Sequence, residues 1–208
     1  MKKQKLFLLA VLLISIKTFA QDISYGVRGG LNVANFSMNL PSNIWPAGNK
    51  KEARTHFNIG VFAQHQLNDK MALQTELFYS GEGASFSKPG TEMPEHIKLG
   101  YLSLPLFFKY TIADHFYAMA GPQISYLLSA KCIYANGNSY DVIKEHKKIA
   151  IGFVPVIGYD WNKFSINLRY QIGLSKLPQT PPNWSMTHYT DDQVKSNVFS
   201  AVISYTLF

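Results

Sequence analysis

Residues 164–175 read Phe-Ser-Ile-Asn-Leu-Arg-Tyr-Gln-Ile-Gly-Leu-Ser. Phe164, Ile166, Leu168, Tyr170, Ile172 and Leu174 are apolar, and the residues between them are polar or tiny. Twelve residues alternate without a slip, which is the period of a β-strand with one apolar and one polar face. In a soluble barrel the apolar face would be the core. In a membrane barrel it would meet lipid, and the fold turns on which of the two holds.

Seven more segments alternate in the same way, near 23–34, 55–67, 71–81, 97–110, 116–128, 148–161 and 196–208. The first sets Tyr25, Val27, Leu31 and Val33 against Ser24, Arg28 and Asn32. The fourth sets Leu102, Leu104, Leu106 and Phe108 against Tyr101, Ser103, Pro105 and Lys109, whereas the fifth and sixth are less polar on their second face. The connections are lopsided. Asn68-Asp69-Lys70, the stretch from Thr111 to His115, and Asn162 make short turns; the gaps 35–54, 82–96, 129–147 and 176–195 are long and hold most of the Pro and Asn. Short and long alternate, so every long loop falls at one end of an up-and-down sheet.

That asymmetry, with strands of at least the 9–11 residues needed to cross, is the pattern of an outer-membrane barrel. The competing reading is a soluble lipocalin-like barrel. Its water-facing side would need charge, yet the face opposite Phe164–Leu174 is mostly Ser, Asn, Gln and Gly, which suits a narrow lumen. Aromatics near the segment ends (Tyr25, Tyr79, Tyr110, Phe116, Tyr117, Tyr126, Tyr159, Trp161, Phe164) fit interfacial girdles. The expectation is therefore an all-β, eight-stranded antiparallel up-and-down transmembrane β-barrel, with the apolar face toward lipid and both termini periplasmic.

Composition agrees. The chain has 208 residues, enough for one domain, and only 16% are charged, against roughly 25% in ordinary soluble domains. Lys2, Lys3 and Lys5 precede the apolar run Leu6–Ile16, and Thr18-Phe19-Ala20 precedes Gln21. This is the pattern of a secretory signal peptide over 1–20, with the barrel domain over 21–208. The eleven-residue run is too short to span a bilayer as a helix. Removing Lys2, Lys3, Lys5 and Lys17 lowers the formal charge from +7 to +3, and no basic stripe suggests nucleic acid. The single Cys132 cannot form an internal disulfide.

The stretches Tyr25-Gly26-Val27-Arg28-Gly29-Gly30-Leu31-Asn32 and Tyr101-Leu102-Ser103-Leu104-Pro105-Leu106, with Lys109-Tyr110, carry a likeness to a known family. Ala120-Gly121-Pro122, Tyr126-Leu127-Leu128, Leu168-Arg169-Tyr170 and Gly173-Leu174 continue it in order and spacing. The chain resembles the PorT-type outer-membrane β-barrel domain family of Bacteroidota over essentially all of 21–208. The resemblance implies an outer-membrane location; the eponymous member belongs to a secretion system. It departs from the usual terminal signal of such barrels, an aromatic with another two positions earlier. Here Phe208 follows Tyr205 by three, which puts the two on opposite faces of a regular strand.

For chemistry, neither a G-x-S-x-G nor an H-E-x-x-H pattern occurs. Ser185 with His188, Asp191 and Asp192 is the nearest approach to a nucleophile–base–acid set and reads as a polar loop; His96, His146 and His188 are scattered histidines rather than a metal site. Pro94, Pro178, Pro181 and Pro182 read as loop stiffeners. No catalytic, cofactor or metal site is expected. The stronger constellation is a lumenal charge network of Arg28, Glu76 and Arg169, each about six residues into the first, third and seventh segments, at similar height in a barrel just wide enough for side chains. The functional expectation is a monomeric, plugged outer-membrane barrel in contact with outer-membrane lipid and the barrel-assembly machinery. Its external loops would bind a protein or glycan partner. A narrow small-solute channel and a lipid-modifying enzyme are the alternatives.

Overall fold

The computed structural model describes residues 23–38, 50–87, 95–134, 136–141, 143, 148–175 and 194–208. The leader over 1–20, the prolines named above, His146, and the loop set Ser185, His188, Asp191 and Asp192 lie outside these residues.

The strands are β1 (Ile23–Met38), β2 (Lys50–Gln66), β3 (Met71–Ser87), β4 (His96–Ala113), β5 (Phe116–Ile133), β6 (Ser139–Asp141), β7 (Ile149–Trp161), β8 (Phe164–Gly173) and β9 (Val194–Thr206). Every pairing is antiparallel, and chain neighbours pair in turn. The ring closes where β1 meets β9, from Gly26↔Thr206 to Met38↔Val194. Eight strands make the wall; the three-residue β6 only lengthens it beside the end of β5. This is a closed eight-stranded up-and-down barrel.

Its short turns are built by their own residues. Asn68 Oδ1 accepts from the backbone N–H groups of Lys70 and Met71 at 3.0 and 2.9 Å, which closes the β2–β3 turn. Asp114 and Asn162 open the other two with φ of 39° and 54°. Asp and Asn are among the non-glycine residues that best tolerate this left-handed region.

The opening stretch now has its answer. Ile166 and Leu168 are 57% and 41% exposed, whereas Asn167 and Arg169 between them are 2% and 5% exposed. The same holds for Leu31, Ile59, Leu104, Leu106, Ile124 and Ile203, all turned outward and bare. An outer surface carrying this many exposed large apolar side chains is stable only against hydrocarbon. Of the aromatics near the segment ends, Tyr117 faces inward instead, with 3% exposure; Tyr25, Tyr110, Phe116, Tyr126, Tyr159, Trp161 and Phe164 face out.

Three sequence expectations need correction. The strands on the long-loop side run further than the alternation indicates: 50–54, 82–87 and 129–133 are strand, and Lys50↔Ser87 and Ala53↔Ala84 pair directly. The physical reason is that apolar alternation ends where lipid ends, while a hydrogen-bonded ladder continues into water. Second, the weakly polar inner face read for the fifth and sixth segments extends also to β4 and to Ala84 of β3. Phe107, Tyr117, Met119, Val154 and Val156 form a buried apolar cluster, and Ala84, Leu99, Tyr101, Leu127, Ala130 and Cys132 form another toward the long loops. Third, Phe208 does not turn inward. β9 ends at Thr206, and Phe208 is 82% exposed with its ring 6.3 Å from that of Tyr25.

One glycine marks where the wall is tightest. A Cβ on Gly121 of β5 would fall 1.8 Å from the Leu106 carbonyl oxygen of β4. Gly121→Ala should therefore force two strands apart and cost about 1–3 kcal/mol, as overpacking does. Gly29→Ala is the comparison, because its Cβ would meet only the Asn58 carbonyl oxygen, at 3.8 Å. Urea titrations in detergent or vesicles would measure both, and equal losses would show that the close approach at Gly121 is not what constrains it.

Candidate functional site: the barrel interior

β1, β3 and β8 each turn one charged residue inward at mid-wall, and the structure brings the three together. Arg28 Nη1 donates to Glu76 Oε2 at 2.5 Å. Arg169 grips the same carboxylate with both terminal nitrogens, Nη1 to Oε2 at 2.6 Å and Nη2 to Oε1 at 2.9 Å. Gln74 Nε2 adds a fourth donor to Oε1 at 2.8 Å. Arg28, Glu76 and Arg169 are 3%, 1% and 5% exposed. A two-pronged guanidinium–carboxylate contact is the strong form of this interaction, and its planar fork holds the geometry as well as the charge.

The remaining donors of the guanidinium groups are largely used. Arg28 Nη2 donates to Asn58 Oδ1 at 2.7 Å, and Arg169 Nε to Asn167 Oδ1 at 2.6 Å. Arg28 also stacks over the Phe78 ring at 3.9 Å. Asn58 passes the network on to Asn32, whose Oδ1 accepts from Asn58 at 2.6 Å and from Ser200 at 2.9 Å. Asn32 Nδ2 donates to Ser80 and to the Gly81 carbonyl, both at 2.9 Å. Side chains from β1, β2, β3, β8 and β9 are thus joined across the bore.

Two further tiers bracket the middle one. Toward the short turns, Lys109 Nζ pairs with Asp160 Oδ2 at 2.7 Å, donates to Gln64 Oε1 at 3.2 Å and lies 4.0 Å over the Tyr117 ring. Toward the long loops, Glu82 is 1% exposed and accepts from Ser196 Oγ at 2.8 Å. Beside it Gln123 donates to Gln171 Oε1 at 2.7 Å, and Ser103 meets Ser125 at 2.9 Å. Neither outer tier was assembled from the sequence. Glu82 fell in a stretch read as loop. Asp160 has the right parity, one step from outward Tyr159, but strand tilt hides its level with Lys109.

Of the other candidates, His96 Nδ1 lies 3.1 Å from Ser85 Oγ and its Nε2 lies 3.6 Å from Glu95. Among the described residues no group of three or more His, Cys, Asp or Glu could hold a metal ion. Cys132 is 1% exposed in the apolar cluster near the long loops.

Residues 19–179 match the family model described as outer membrane protein beta-barrel domain. The chain belongs to that family. The family places the barrel in the bacterial outer membrane; barrels of this kind carry short periplasmic turns and longer external loops. Among solved structures the barrel is similar to Neisserial surface protein A, with 14% identity and a TM-score of 0.57, covering 88% of this chain and 97% of that one. It is also similar to Ail, the attachment invasion locus protein of Yersinia pestis, with 14% identity, a TM-score of 0.48, and coverage of 90% and 100%. For the outer membrane protein OprG from Pseudomonas aeruginosa the figures are 12%, 0.46, 88% and 95%. No curated protein matches. At 14% identity the likeness to Neisserial surface protein A is one of fold.

Proposed function

We propose that this outer-membrane barrel is a plugged, non-conducting and non-enzymatic scaffold that presents its outer end to a protein or glycan partner. The observation that carries the reading is the occupied bore. Glu76 of β3 is held by Arg28 of β1 and by Arg169 of β8 on the opposite wall, with an ion pair below it and an apolar cluster above it. An eight-stranded barrel has an interior just wide enough for side chains, and these fill it. The wall supports the second half of the proposal. β2 to β5 run 17 or 18 residues, well past the roughly 9–11 needed to cross, whereas β7 to β9 run 10 to 13. Half of the rim therefore rises above the membrane as ordered sheet, a firm platform for contact.

Purified protein in planar bilayers is expected to give no steady ion conductance at neutral pH. The Glu76→Gln/Arg169→Gln variant is the informative companion, because the middle tier then loses its carboxylate. Steady conductance by the unmodified protein would leave the barrel standing and remove the plug.

A further inference from the structure

Lys98 of β4 and Lys131 of β5 stand directly opposite each other. Their neighbours Leu99, Ala130 and Cys132 belong to the buried cluster inside the barrel, so both lysines point outward, and both are exposed. On the other side Lys98 faces Gly83 of β3, which is buried. The Ile97 carbonyl oxygen and the His56 ring fill the space beside it: a Cβ on Gly83 would stand 2.3 Å from the first and 3.0 Å from His56 Nε2. Arg54 and Lys98 both act electrostatically on that ring. Arg54 Nη1 and His56 Nε2 are screened from water without a hydrogen-bond partner.

Directly opposed like charges destabilise a sheet, and nothing in the barrel's own folding requires this pair. Asp141 of β6, across from Lys131, supplies one acid. Glu95 stands farther from the membrane, against His96. Lys98 and Lys131 thus bring two cations to one outward place against the single acid Asp141.

The height of the patch decides what it meets. The outward apolar ladder of β4 ends at Leu102 and that of β5 at Tyr126 and Leu128. Lys98 lies four residues beyond Leu102, about 13 Å along a strand and about 10 Å in height after a tilt near 40°. That is the headgroup layer of the outer leaflet, and long lysine side chains reach several ångströms within it. We propose that Lys98 and Lys131 clamp a phosphate group of an outer-leaflet glycolipid against the β3–β5 wall. The lipid's acyl chains would lie on Leu102, Leu104 and Ile124 below.

The test uses the full chain, purified in a neutral detergent and titrated with lipid A carrying its phosphates, with the same glycolipid after their removal, and with inorganic phosphate. The phosphorylated lipid is expected to bind about tenfold or more tightly than the dephosphorylated one, as two lysines near an anionic headgroup layer imply. Lys98→Gln/Lys131→Gln should erase most of that preference, and Lys163→Gln in the periplasmic turn should leave it intact. Without lipid the double variant is expected to melt no lower than the unmodified barrel, because an opposed like-charge pair is gone; should it not fold, Lys131→Gln alone is read in the same way. Equal binding of the two lipids, a preference that survives the lysine substitutions, or displacement of the lipid by low-millimolar inorganic phosphate would each overturn the proposal.

Discussion

Glu76→Gln is expected to destabilise the barrel by about 3–5 kcal/mol, because it leaves two buried guanidinium groups facing each other with no carboxylate between them. The substitution keeps the shape of the side chain, so the loss reports charge rather than packing. Removing an arginine instead is gentler. Arg169→Gln leaves Arg28 and Glu76 as a one-to-one pair, still 2.5 Å apart and still supported by Gln74 and Asn58. The double variant Glu76→Gln/Arg169→Gln strands one cation rather than two and should be more stable than Glu76→Gln alone. A double-mutant cycle from urea titrations in vesicles would show this as strong non-additivity. Strict additivity would mean that Glu76 and Arg169 are not coupled through the contact the structure shows.

The second large effect is expected on the outer face. Leu168→Arg places a guanidinium in hydrocarbon at the middle of β8 and should cost about 2–4 kcal/mol. Its neighbour Asn167 points inward, at 2% exposure, and accepts from Arg169 Nε. Asn167→Ala is therefore not silent: it leaves one buried donor unmet, a loss of about 1–2 kcal/mol. The order of the two variants is the prediction. A Leu168→Arg barrel no weaker than the Asn167→Ala barrel would reverse the assignment of faces.

The parts legible in the sequence are those governed by local period. Twelve alternating residues put Leu168 and Arg169 on opposite faces, and the lopsided connections with the nearly uncharged polar face put Leu168 outside. Arg28, Glu76 and Arg169 could be grouped by counting inward from the periplasmic ends, since all three strands run the same way. What could not be read depends on tilt and on water. Lys109 and Asp160 pair at 2.7 Å although they lie at unequal distances from their turns, a consequence of stagger between neighbouring strands. Glu82 was hidden because 82–87 has no apolar alternation to mark it as strand. Phe208 faces outward because regular strand geometry stops at Thr206.

The seam between β1 and β9 has a consequence for how the barrel forms. The other seven junctions of the wall join strands that follow one another in the chain, two of them through two-residue turns. This one joins residues near 26–38 to residues near 194–206, and it is fastened at its end by Tyr25 N–H to the Phe208 carbonyl at 3.2 Å and Leu207 N–H to the Tyr25 carbonyl at 2.8 Å. Hairpins can assemble early at little entropic cost, but the seam must wait for the last strand. Until it closes, two strand edges carry unmet backbone groups that hydrocarbon cannot satisfy. A half-built wall is thus poorly tolerated inside the bilayer, and insertion is coupled to the moment of closure. The rate of that step belongs to topology rather than to any single side chain.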